Sequence, residues 1–131
     1  MRNLRRLGET CLRQAEEAMK TVKTNRDEAA VVYNYMKAYK LLTDYYEHKV
    51  LAAISALIYS FGGDPAEKTE ALKRADETVE CYAKAIQFIW EEIDKKKGTL
   101  RARAMDGKSY SLPELIEKER QEIAQVNLVS P

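Results

Sequence analysis

Chemistry on a protein needs a few residue types brought to one point, and this chain of 131 residues supplies them unevenly. It has one histidine, His48. With a single imidazole, neither a catalytic triad nor a histidine metal cluster is easily assembled within the chain. Glu47 adjoins His48, but sequence neighbours on a helix face different sides, so His48 reads as a surface or boundary residue. Carboxylates are abundant and invite a di-metal bundle. Such bundles use Glu-x-x-His on two helices and inward Glu on two more, and no Glu-x-x-His occurs here. Glu47, Glu77, Glu80 and Glu91 therefore read as solvated helix faces. Cys11 and Cys81 stand 70 residues apart, with no Cys-x-x-Cys or Cys–His spacing. They read as two free thiols on helices, with one interhelical disulfide as the alternative in an exported protein. No catalytic, cofactor-binding or metal-ligating set emerges from these residues.

The tyrosines are the one unusual feature. There are eight Tyr against two Phe, a skew toward aromatics with a polar tip. Five fall close together: Tyr33, Tyr35, Tyr39, Tyr45 and Tyr46. The simpler reading is that they edge the core with their hydroxyls in water or hydrogen-bonded. The other is an aromatic interaction surface, packed on a second domain or stacked on the apolar face of a sugar, and Trp90 is weighed the same way. Arg101, Arg103 and Lys108 could contact phosphate, but acidic residues flank them and a solvated hairpin is the better reading. Lys plus Arg total 22 and Asp plus Glu 21, for a net charge of +1. That balance lends no support to a nucleic-acid partner, which calls for a basic surface. No apolar run approaches the roughly 20 residues of a membrane span. The basic N-terminus lacks the apolar core of a signal peptide.

The elements that must position these residues are helices. Apolar residues make up 45% of the chain, with only five Gly and three Pro. In residues 3–23, Leu4, Leu7, Cys11, Ala15, Ala18 and Val22 recur at spacings of three and four, one apolar stripe on a helix. Thr24 or Asn25 then caps a second helix over 27–61. Its main stripe is Val32, Tyr35, Tyr39, Leu42, Tyr46, Ala53 and Leu57; beside it lie Val31, Ala38, Leu41, Tyr45 and Ala52. A helix apolar on two faces is expected to be covered by two neighbours, so this is the central helix. Gly62 is the expected left-handed C-cap. Asp64-Pro65 opens a third helix over 65–97, with the seam Leu72, Ala75, Val79, Tyr82, Ile86, Ile89 and Ile93. Lys95, Lys96 and Lys97 suit its negative end, and Gly98 stops it. Asp106-Gly107 predicts a tight hairpin turn. Ser111 and Glu114 form a capping box for a fourth helix over 112–126, with Leu115, Ile116, Ile123 and Val126 on one face.

The run Tyr45-Tyr46-Glu47-His48-Lys49-Val50-Leu51-Ala52-Ala53, then Ala71-Leu72-Lys73-Arg74-Ala75 and Tyr82-Ala83-Lys84-Ala85 after a Gly-Gly-Asp-Pro break, resembles the helical regions that follow the catalytic barrel in large bacterial glycoside hydrolases. The match spans residues 29–90, about half the chain. It implies an accessory helical domain that buttresses a catalytic module, and it carries over no catalytic residue.

These readings converge on a single all-α domain spanning residues 1–131, an antiparallel bundle of three long helices plus a shorter fourth after a hairpin-like loop. The first and third helices should flank the second. The fourth should cover the remaining groove, unless another domain or a second copy fills it. The functional expectation is a non-catalytic accessory or interaction domain of a carbohydrate-active enzyme. The alternative is a stand-alone intracellular adaptor that dimerises through the tyrosine-rich half of the second helix.

Overall fold

The computed structural model describes residues 2–93, 102–103 and 106–127. The fold is all-α. Helix α1 (Arg2–Thr21) runs into α2 (Arg26–Gly62), the longest element at 37 residues. Helix α3 (Pro65–Phe88) continues directly into one π-helical turn, Ile89–Ile93. Two short strands, β1 (Ala102–Arg103) and β2 (Ser109–Tyr110), pair antiparallel with Ala102 opposite Tyr110 and Arg103 opposite Ser109. Helix α4 (Leu112–Asn127) completes the chain order. The expectations for Lys95 to Lys97, Gly98, Arg101 and residues 128–131 lie outside the described residues.

The element ends follow local chemistry, with two corrections. Asn25 is the residue before α2, but its side chain does not cap the helix; it sits in the left-handed region at φ 54°, ψ 39°. Asparagine tolerates that conformation better than most residues. At the other end the left-handed residue is Gly63, not Gly62, and its N–H donates to the Tyr59 carbonyl at 2.7 Å. Asp64 behaves as expected, its carboxylate accepting from the Ala66 N–H at 2.9 Å ahead of Pro65. The Ser111–Glu114 box forms as well: the Ser111 N–H donates to Glu114 at 2.7 Å. In the hairpin, Gly107 takes φ 79° and Asp106 accepts from the Lys108 N–H and the Tyr110 hydroxyl.

Helix α2 is the central element, with α1 and α3 packed against it. The α2–α3 contact is lined by small side chains. Ala38, Ala52 and Ser55 are buried on α2; Ala71, Ala75, Thr78 and Ala85 are buried on α3. Ala71, Thr78 and Ala85 recur every seven residues, the repeat of a close antiparallel helix pair. The α1–α2 contact is also close, at Gly8. A Cβ there would stand 2.6 Å from the Thr43 hydroxyl oxygen and 3.5 Å from the Lys40 Cα. Arg5 fixes the register of the same contact, reaching Glu9, Asp44 and Glu47 within 3.1 to 3.7 Å. Glu47 is therefore part of a helix–helix contact and does not line a solvated face.

Helix α4 does not take the place expected for it. It lies mainly against α3, where Ile123 and Ile116 join Ala75 and Val79. The expected flanking of α2 by α1 and α3 holds, but none of these helices covers its main stripe. Of the main stripe on α2, Val32, Tyr35, Tyr39, Tyr46 and Leu57 are all exposed, Tyr39 at 58%. The second set supplies the buried positions Ala38, Tyr45 and Ala52. Size decides between the two: alanines let α3 approach the α2 backbone, whereas a row of tyrosines would hold it away.

Candidate interaction surface

The tyrosines singled out by the sequence split between two environments. Tyr35, Tyr39 and Tyr46 stand on the open face of α2, and Tyr33 is half-buried. Tyr45 is 5% exposed and Trp90 4%. Those two are core residues, and no partner can reach them without unfolding. Trp90 stands eleven residues after Val79, about 20° from it around a 3.6-residue helix, so its burial continues the face that buried Val79 already presents to the core.

Tyr45 belongs to a polar cluster that sequence reading missed. Its hydroxyl donates to Glu119 at 2.6 Å, and the Lys49 ammonium donates to the Tyr45 oxygen at 2.6 Å and to Glu119 at 2.8 Å. Tyr82 leans its ring on that of Tyr45, with centroids 5.2 Å apart. Glu119 is buried, on the face of α4 that also carries Ile116 and Ile123. A carboxylate at that helical spacing within an apolar stripe must find a partner, and that was the available signal. Burial, and then the hydrogen bond to Glu119, hold the Tyr45 phenol far above its ordinary range. Burial raises the Tyr82 phenol too. A tyrosine acting as base or nucleophile needs its pKa brought toward neutrality; this one is driven the other way. The cluster ties α4 to α2.

The remaining candidates are equally structural. The His48 Nδ1 lies 3.2 Å from Glu77 across the α2–α3 contact, at the boundary of core and solvent. Cys11 and Cys81 are free thiols, both half-buried, and burial pushes the Cys81 thiol upward. Glu91 accepts from Gln87 one turn earlier. Two adjoining shallow grooves run between α3 and α4, both lined by Asp76, Val79 and Arg120. No group of three or more His, Cys, Asp or Glu side chains able to hold a metal ion occurs among the described residues. No helix among them is long and apolar enough to cross a membrane.

What stands out is the open face of α2. From Val31 to Phe61 it runs 30 residues, about 45 Å at 1.5 Å per residue. Val31, Val32, Tyr35, Tyr39, Tyr46, Ile54, Leu57, Ile58 and Phe61 are all exposed, Phe61 at 90%. Val31 and Ile58 stand about half a turn apart around the helix, so these residues make a broad exposed side and not one row; scattered surface hydrophobics are normal, but a large apolar patch is a mark of association. Such a face can bury apolar area and orient a partner through tyrosine hydroxyls. Comparison with protein-family models, with curated proteins and with solved structures finds no match to the chain.

Proposed function

We propose that this chain is a non-catalytic helical interaction domain whose working surface is the open face of α2. The observation that supports this reading most is the exposure of the longest apolar stripe in the sequence, while small residues make the helix–helix contacts. In the setting implied by the resemblance to glycoside hydrolases, the domain buttresses a catalytic module through this face. A second reading rests on the same exposed stripe: the domain then acts as a homo-oligomeric adaptor. Both place the function in the same surface.

The test is a photo-reactive phenylalanine analogue placed at position 39 or 57 in the source cell, with position 73, an exposed lysine on α3, as control. Discrete adducts at 39 and 57 with none at 73 are expected. Absence of adducts at both stripe positions contradicts the reading. So does glycosidase activity of the isolated chain that disappears on substitution of a single carboxylate.

A further inference from the structure

We infer that β2 with its turn and α4, residues 106–127, form one unit that opens from the α1–α3 bundle as a whole and is latched shut by Glu119. The unit is tied to itself. Asp106 accepts from the Lys108 N–H and the Tyr110 hydroxyl. The Lys118 ammonium, on α4, lies 3.9 Å from Asp106 and 5.9 Å from the centre of the Tyr110 ring. The Ser111 N–H donates to Glu114, which joins the end of β2 to the first turn of α4.

Its hold on the rest of the molecule is thin. Among the described side chains of α4 only Glu119 and Ile123 are buried. Ile123 and Ile116 meet Ala75 and Val79, and shallow grooves flank that contact between α3 and α4. Elements with few buried apolar contacts open at a lower free energy than the core. The α2–α3 contact is made by small residues of its own, and Arg5 holds α1 to α2. Glu119 is what reaches from α4 to α2, accepting from Tyr45 and Lys49 at 2.6 and 2.8 Å. On opening, Glu119 and Lys49 regain water, which offsets much of what the latch contributes. A released helix of 16 residues is marginal in water, so opening frees its amides. It also takes Glu119 off Tyr45, whose ring lies 4.9 Å from that of Tyr46, and so widens the exposed side of α2. The closed form predominates, and Tyr45 is core in it. The device goes beyond the interaction-domain reading and does not depend on what binds that side.

The experiment is native-state hydrogen exchange of the full chain, read by mass spectrometry on peptides covering residues 117–125 of α4 and 40–52 of α2. Relative to their unfolded rates, the α4 amides are expected to exchange about 10-fold faster than those of α2, or more. Gly8→Ala touches only the α1–α2 contact. It is expected to speed α2 exchange roughly 10-fold and to leave α4 unchanged. Glu119→Ala is expected to speed α4 exchange roughly 30-fold. Alanine is the better helix former, so simple fraying of α4 would slow instead. Tyr45→Phe, which leaves the sequence of α4 intact, is expected to speed α4 exchange roughly 5-fold. Equal acceleration of α2 and α4 in Gly8→Ala overturns the inference, because α4 then opens only with the whole fold. So does α4 exchange that neither Glu119→Ala nor Tyr45→Phe accelerates.

Discussion

Tyr45 and Tyr46 are adjacent, with ring centroids 4.9 Å apart, yet one is core and the other surface. Sequence reading grouped them as two of five tyrosines that fall close together. What separates them is a single helical step and the presence of Glu119, 74 residues away from Tyr45. Replacing Glu119 by alanine removes the acceptor of two hydrogen bonds, one of them from a charged donor. The expected loss is roughly 2 kcal/mol in denaturant unfolding, and a second Tyr45→Phe change should add less than it costs alone, because the two share one network. The same cluster sets an alkaline limit. A phenol whose folded pKa is raised contributes stability that is intact below its unfolded value of about 10 and is lost as pH rises toward the folded value. Unfolding free energy should therefore fall between about pH 9 and about pH 11, and fall less steeply in Tyr45→Phe, measured by urea titration at each pH.

Among the elements, helix existence, order and most boundaries were legible because apolar residues at spacings of three and four admit little else. Which face of α2 would be covered was not legible. Two apolar stripes lie side by side, and either could have faced a neighbouring helix. The choice depends on how closely two backbones can approach, a property of the pair α2–α3 and not of either helix. Gly8 is the same lesson on α1. As a residue within a helix it reads as a defect costing about 0.5–1 kcal/mol relative to alanine. Opposite Thr43 it spares the contact a Cβ would make at 2.6 Å from the hydroxyl oxygen. Gly8→Ala should therefore destabilise by about 1 to 2 kcal/mol despite its better helix propensity. The double variant Gly8→Ala with Thr43→Ala should recover most of that loss, as followed by the chemical denaturation midpoint. The π turn was invisible because Ile86, Ile89 and Ile93 keep the spacings of three and four of an ordinary helix.

On the scale of the whole molecule, α1 and α3 pack against α2, α4 lies mainly on α3, and the tyrosine stripe of α2 is left uncovered. The core is built from alanines with few large side chains: Tyr45, Trp90, Val79 and Ile123. The tyrosine stripe holds the larger apolar residues of α2, so a substantial share of the chain's hydrophobic surface is still unspent after the monomer has folded. The surface was legible in the sequence as a set of tyrosines; its membership was not, since Tyr45 and Trp90 turned inward while Val31, Leu57 and Phe61 turned out. The central claim is that nothing among the described residues seals this stripe. The direct test is tyrosine nitration of dilute native protein, read residue by residue by peptide mass spectrometry. The account predicts rapid modification of Tyr35, Tyr39 and Tyr46 and none of Tyr45 before unfolding. Protection of those three in dilute protein, or modification of Tyr45 at their rate, would contradict it.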